Sequence, residues 1–486
     1  MTGKNEAPRG PSGIDRYFRI SERGSTIGGE IRGGVVTFFA MAYIIVLNPL
    51  IIGTVPDADG QFLGGGTEPN LAMIAASTAL VAGLVTILMG VVANFPIGIA
   101  SGLGLNAFLA FGVASQMSWA DALGLVVIEG VLMLVLVLTG FRRAVFNAVP
   151  RGLKTGISVG IGLFIAFLGL VNGGFVGATL QASPPVELGT GGSLVGWPVV
   201  VFSIGLITMV ILHTLKVRGA ILWAILGATV LAVAVERIVR IGVANEDNPT
   251  GWNLNAPVIP ESVLRLPDFS LLGHFSLLGS WERVSVVVVV LLIFTLLLSD
   301  FFDTMGTMVA VGSEGGLLDE NGNPYGAQRI LIVDSLGAVA GGMGGVSSAT
   351  SYVESATGVG DGARTGLASV VTGICFLAAT LLSPVVAMVP NEAAAPALVL
   401  VGFLMMTQVG GVDWRDPDVA LPAFLMITLM PFSYSISVGL GAGFIAFTVI
   451  KLVRRKAREI HPLMWVVTLA FVIYFARGPL ESLFGG

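Results

Sequence analysis

The sequence predicts an all-α polytopic membrane protein built from two inverted halves, and three observations carry that prediction. The chain is too apolar for a single soluble core, and its apolar residues fall into runs near the length of a bilayer crossing. Two further runs are interrupted by glycine and small residues about half a chain apart.

Of 486 residues, 54% are hydrophobic and 11% charged, and the mean hydropathy is +0.89. No interior of this size hides so much apolar surface, so lipid must cover it. A net charge of -5 excludes nucleic acid as a partner, because a phosphate backbone demands dense Lys and Arg patches. The single cysteine, Cys375, lies in an apolar run with no second thiol, and His213, His274 and His461 lie far apart. No disulfide, metal or other cofactor is expected. The first 32 residues are polar and carry six basic residues ahead of an apolar run too long for a signal peptide.

A crossing takes about 20 mainly apolar residues. Runs at 33–53, 71–93, 120–141, 153–174, 196–215 and 218–240 satisfy that length in the first half. In the second half they fall at 284–310, 329–343, 366–388 and 394–411, with a coupled pair at 417–433 and 435–453 and a last run at 462–477. Residues 97–115 and 346–362 are different, since both are entered through small residues, Gly98-Ile99-Ala100-Ser101-Gly102-Leu103-Gly104 and Gly341-Gly342-Met343-Gly344-Gly345. They read as broken helices. Backbone leaves the helical state at membrane depth only where protein or a polar cavity satisfies it, so the pair marks a binding site.

Val149-Pro150 and Val389-Pro390 each precede a helix and lie 240 residues apart, which points to an internal repeat. Seven elements per half make the halves inverted, because an odd count sends the second into the membrane from the opposite side. The expected organisation is a cytoplasmic N-terminal tail (1–32), a first repeat of segments 1–7 (33–240), an extracytoplasmic insert (241–283), a second repeat of segments 8–14 (284–453), and a basic segment with an apolar helix (454–486). Basic residues at Arg142, Arg143, Arg151, Lys154, Lys216 and Arg218 alternate with loops lacking positives, which puts the N-terminus in the cytoplasm of a multi-pass protein of the plasma or inner membrane. In this scheme 462–477 is surplus and reads as a docked or interfacial helix.

Ionisable groups at membrane depth are costly and usually functional. Here they are all acids: Glu129, Asp300, Asp303, Asp334 and Glu354. Carboxylates with no buried base suit proton coupling and disfavour a bulky anion. In Ser299-Asp300-Phe301-Phe302-Asp303-Thr304, the i, i+3 and i, i+4 spacings gather Asp300, Asp303 and Thr304 on one helix face. The hydroxyl-rich stretch Ser347-Ser348-Ala349-Thr350-Ser351-Tyr352-Val353 leads into Glu354, whose carboxylate can accept paired N–H bonds from a planar heterocycle. Its Ser and Thr residues also suit helix capping. Asn106 occupies the matching place in the first broken segment. Glu129 and Asp334 favour the plainer reading of helix-to-helix bracing.

Asp300-Phe301-Phe302-Asp303-Thr304 and Thr350-Ser351-Tyr352-Val353-Glu354-Ser355 resemble the AzgA-like purine permeases of the nucleobase-ascorbate (nucleobase:cation symporter 2) superfamily. Phe38 to Pro49, Gly104-Leu105-Asn106-Ala107-Phe108, Ile128-Glu129-Gly130 and His461-Pro462-Leu463-Met464 extend the likeness over the membrane part, while Gly102-Leu103 departs from it. The resemblance implies fourteen segments as a 7+7 inverted repeat, with short strands and half-helices at segments 3 and 10, a core domain (segments 1–4 and 8–11) and a gate domain. It also implies a homodimer that imports adenine, guanine or hypoxanthine by proton symport. Carried to this chain, it assigns substrate binding to Asp300, Thr304, Glu354, Tyr352, Asn106 and Ser351, and proton coupling to Asp300, Asp303 and Glu354. The expected protein is a secondary transporter with an elevator or rocking mechanism, not an enzyme. An anion transporter (sulfate or dicarboxylate) or a uracil or xanthine symporter of the same fold is the alternative. A channel has no need of an aromatic at the site, and an enzyme would have to cast Asp300 and Asp303 as an acid–base pair.

Overall fold

Nine helices among the described residues are long and apolar enough to cross a membrane. The computed structural model describes residues 13–139, 149–179, 186–244, 248–253, 255–260, 262, 264–320, 323–386 and 388–484. A short helix α1 (Gly13–Phe18) precedes α2 (Ile27–Met41) and α3 (Ile44–Ile52), which together make the first span, broken at Ala42 and Tyr43. Next come α4 (Leu71–Leu88), strand β1 (Ile99–Ser101), α5 (Leu103–Ala107), α6 (Trp119–Thr139) and α7 (Arg151–Asn172). A small hairpin of β2 (Val176–Ala178) and β3 (Val186–Leu188), which apolar runs do not announce, leads to α8 (Trp197–Thr214) and α9 (Ala220–Val239). The second half runs α10 (Val286–Gly315), α11 (Ala327–Met343), β4 (Ala349–Ser351), α12 (Ser355–Gly360), α13 (Gly366–Ala379), α14 (Asn391–Met406), α15 (Pro417–Phe432) and α16 (Ile436–Val453), followed by α17 (Pro462–Phe484).

The same order therefore occurs twice: two membrane helices, a strand with a short helix, then four helices. Local sequence explains the ends. Thr26, Asn70, Ser285 and Ser435 cap α2, α4, α10 and α16 by accepting a backbone N–H, and Gly316 closes α10 in the left-handed conformation. Pro150 and Pro390 sit just before α7 and α14, the equivalent helices of the two halves. These helices cross at Gly162 and Gly402: a Cβ on Gly162 would lie 2.9 Å from the Gly402 carbonyl oxygen and 2.5 Å from the Met405 Cβ. Gly83 on α4 and Gly373 on α13 make a second such crossing, where small residues let backbones touch.

Helices α7, α8, α9, α14, α15 and α16 pack chiefly on one another, whereas α2, α4, α6 and α10 to α13 form a second group. This is the core and gate division of the fold. The described residues of the insert after α9 are mainly irregular chain that docks on the helices: buried Trp252 donates to Glu236 at 2.7 Å, and the Asn253 N–H donates to Glu392 at 2.8 Å. Helix α17 is longer than the run 462–477 and packs along α16 and α10. Of the basic residues used to orient the chain, Arg142 and Arg143 lie outside the described residues, as do Lys4 and Arg9.

Gly162→Val is expected to destabilise the protein by about 1–3 kcal/mol through overpacking, with Gly227→Ala, whose Cβ would meet nothing within 4 Å, left near the parent value. Thermal unfolding in detergent compares the two directly.

Candidate functional site

Extended backbone in a membrane interior needs a partner, and the two broken segments supply one another. β1 and β4 pair antiparallel in the register Ile99↔Ser351, Ala100↔Thr350 and Ser101↔Ala349. Antiparallel pairing is what inverted copies of one segment must give. The ends are tied off as well. The Gly102 N–H donates to the Ser348 carbonyl and the Tyr352 N–H to the Gly98 carbonyl, each at 3.0 Å. The Gly98 N–H donates to Ser355 Oγ at 2.9 Å, and Thr86 Oγ1 bonds both polar groups of Ile99. Gly102 is required here, since a Cβ would lie 2.7 Å from Thr350 Cγ2. Ser347 enters the strand with φ 71°, a left-handed conformation that only a tightly determined site retains.

A buried network surrounds β4. Asp334 on α11 accepts from Thr304 Oγ1 at 2.7 Å, from the Ser351 N–H at 3.0 Å and from Ser351 Oγ at 2.8 Å. Thr304 also meets Thr350, hydroxyl to hydroxyl, at 2.8 Å. One carboxylate thus fastens α10, α11 and the strand. Ser348 Oγ lies 3.1 Å from Asp300 Oδ2 and 3.4 Å from Glu129 Oε2, and the two acids are themselves within hydrogen-bonding reach. Asp300 Oδ1 and Glu129 Oε1 have no donor among the described residues. A serine hydroxyl has one hydrogen and cannot serve both carboxylates at once.

A second group gathers at the strand ends. Glu354, half-buried at the start of α12, accepts from the Tyr43 hydroxyl at 2.6 Å. The Tyr352 hydroxyl donates to the Ser101 carbonyl at 2.5 Å. Ser101 Oγ lies 2.7 Å from Asn106 Oδ1 and also contacts the Val346 carbonyl, leaving buried Asn106 Nδ2 without a partner. Asp303 is exposed on α10 and acts electrostatically on both Asp300 and Glu354.

The structure brings Asp300, Thr304 and Ser351 into the buried network and Glu354, Tyr352 and Asn106 around the strand ends. Asp300 and Glu354 share no hydrogen-bond partner, with Asp303 acting electrostatically on each. Thr304 and Ser351, expected to face a solute, spend their hydroxyls on Asp334. Asp300 and Asp303 differ in exposure, because the helix face bearing Asp300 and Thr304 is buried against β4 and α11. Tyr43, Ser101 and Ser348 join the site without having been singled out. For Tyr43 the available signal was a phenolic hydroxyl inside an apolar run, and for the serines it was their place in the interrupted segments.

Spanning helices wrapped around a paired-strand centre rich in acids and hydroxyls define a multi-pass membrane transport protein. The chain matches the model of the Permease family (Xan_ur_permease) over residues 28–445, and it belongs to that family. It is 39% identical over 461 residues to the guanine/hypoxanthine permease PbuG of Bacillus subtilis (strain 168), covering 94% of this chain and 98% of that one. To the adenine permease AdeP of Escherichia coli (strain K12) it is 34% identical over 462 residues, covering 95% of each. Its fold is similar to the transmembrane domain of a cyanobacterium bicarbonate transporter, BicA, with a TM-score of 0.56 at 15% identity, over 86% of this chain and 97% of that one. The AzgA-like resemblance of the motifs agrees with this membership.

Asp334→Ala is expected to lower stability by about 2–4 kcal/mol, because it strands a backbone N–H and two hydroxyls in the interior. Asp334→Asn, which keeps an acceptor, should cost less. Unfolding midpoints of the purified variants test the order.

Proposed function

We propose that this permease imports purine nucleobases together with protons by alternating access. The observation that carries the reading is Glu354. Its carboxyl group, half-buried at the start of α12, has Tyr43 as its one side-chain donor among the described residues, and Asn106 on the facing segment holds an unpaired amide nitrogen. A purine edge sets N–H donors beside ring-nitrogen or carbonyl acceptors. A carboxylate takes the former and an amide the latter. Relatives that share nearly the whole length are named guanine/hypoxanthine and adenine permeases, which agrees with a purine as solute. Asp300, Thr304, Tyr352 and Ser351 complete the proposed binding site through the strands and helix that hold Glu354 and Asn106 in place.

Proton coupling is supported by the Glu129–Asp300 pair, which lacks one hydrogen, and by Asp303, exposed and within electrostatic reach of both Asp300 and Glu354. An anion as solute is disfavoured, since acids crowd this centre and no ion pair among the described residues places Lys or Arg on them. Movement of the core group against the gate group, as an elevator or by rocking, is supported by the contacts that join them. Arg218 in the α8–α9 turn pairs at 2.5 Å with Asp361, which also takes Arg32, and Phe111 meets Tyr434 edge-to-face at 5.6 Å. Arg23, Arg32, Arg218 and Arg364 gather at the same end of the molecule, which supports a cytoplasmic N-terminus. The homodimer rests on the family resemblance.

Glu354→Gln is expected to reduce radiolabelled hypoxanthine uptake by at least about a hundredfold, the loss that follows removal of a charged partner worth roughly 3 kcal/mol, with surface expression and unfolding midpoint unchanged. Parent uptake should quicken as external pH falls and collapse with a protonophore. Full uptake by the variant rejects Glu354 as the binding group, and competition by sulfate but not by adenine or guanine rejects the solute class.

A further inference from the structure

A cavity of about 340 Å³ lies away from the strand pair, where the chain between α1 and α2 folds against the end of the second span. It is lined by Tyr17, Arg19, Arg23, Asn94, Tyr325 and Arg329, with Val91 and Val92 on one side, and no carboxylate is among the lining residues. The walls are fixed by local chemistry. The Tyr17 hydroxyl donates to the Val91 carbonyl at 2.9 Å, Arg23 donates to the Asn94 and Arg364 carbonyls at 2.7 and 3.1 Å, and Asn94 Nδ2 donates to the Phe18 carbonyl at 2.9 Å. Asn94 itself is left-handed, with φ 48°, which turns the chain sharply out of the span.

Three guanidinium groups meet here with little to neutralise them. Arg19 pairs with Glu22 at 2.7 Å, Arg23 meets only backbone carbonyls through the bonds just given, and Arg329 on α11 is exposed with no ion pair among the described residues. Burial, and then the charge of Arg19, pull the Arg23 guanidinium below its usual range, and the charges of Glu22 and Glu30 offset this only in part. Arg19 also occupies φ 60° at the end of α1, a position that favours glycine, so a long cationic side chain is retained against the local backbone preference. The depth of the cavity is set by the span Leu71–Ala93, whose last residues form one wall, placing it at the bilayer surface. Val91 and Val92 at the cavity wall are 41% and 39% exposed, and Ile14 and Tyr17 on α1 are exposed as well.

We propose that this cavity is a binding site for the headgroup of an anionic phospholipid, with the phosphodiester on Arg19, Arg23 and Arg329 and the acyl chains running along Val91 and Val92. Guanidinium forks match phosphate oxygens in geometry, and basic recesses beside spanning helices are suited to acidic headgroups. A soluble phosphate would satisfy the arginines and leave the valine surface unused. The bound lipid would staple the segment 13–25 to α4 and α11, fixing the chain that leads into α2. This site does not depend on the solute the permease carries.

The test uses the full chain purified in a neutral detergent. Phosphatidylglycerol added to the micelles should raise the unfolding midpoint and survive as an adduct in native mass spectrometry. Phosphatidylcholine with the same acyl chains, inorganic phosphate and glycerol 3-phosphate should do neither. Arg329→Gln should weaken phosphatidylglycerol binding about fivefold and the double change Arg19→Gln with Arg329→Gln about twenty-five-fold, since each basic residue near an anionic surface contributes roughly one such factor. Both side chains are exposed, so the variants should fold as the parent does in detergent alone, and the single variant decides the matter if the double one does not. Equal stabilisation by phosphatidylcholine or by the soluble phosphates overturns the assignment, as does undiminished binding by the single variant.

Discussion

The structure depends on the bonding between β1 and β4. Six residues of extended chain sit where lipid offers nothing to hydrogen-bond, and they are tolerable only because each strand is the other's solvent. From that constraint follow the hydroxyls of Thr86 and Ser355, which finish the strand ends, and Gly102, whose missing Cβ leaves room for the Thr350 side chain. The half-helices α5 and α12 then begin at the strand ends, so Asn106 and Glu354 reach the centre from opposite halves of the chain.

The acids divide the labour around this pair. Asp334 is saturated by two hydroxyls and a backbone N–H, and its role is architectural, since it anchors the strand to two helices. Asp300 and Glu129 share one serine hydroxyl, and each keeps an oxygen with no donor among the described residues. Glu354 is half-buried and Asp303 exposed on its helix. Buried acids with filled bonding capacity stabilise a fold, whereas acids with vacant capacity are available for chemistry. In the proposed function, the second kind carries the solute and the proton.

Glycine governs the rest of the packing. The crossings of Gly83 with Gly373 and of Gly162 with Gly402 bring helix backbones together within each of the two packed groups. Between the groups lie an ion pair from Arg218 to Asp361 and an edge-to-face aromatic contact from Phe111 to Tyr434, beside apolar side chains of both groups that share one buried cluster.

Much of this was legible in the amino-acid order. Apolar run length marked the spanning helices because the bilayer sets a crossing distance, and glycine and serine density marked the two broken segments because such residues are wasted in an ordinary lipid-facing helix. Ionisable residues in those runs stood out for the same energetic reason, and the motifs around Asp300 and Glu354 carried the family likeness. The sequence could not say which hydroxyl meets which acid. Thr304 and Ser351 looked free for a solute but are held by Asp334, 30 and 17 residues away along the chain. Tyr43 looked like one more apolar residue until its hydroxyl was seen on Glu354, 311 residues on. Composition and periodicity are local properties and determined the membrane class and the elements. Partner choice among buried polar groups depends on contacts between distant segments, and only the tertiary structure decided it.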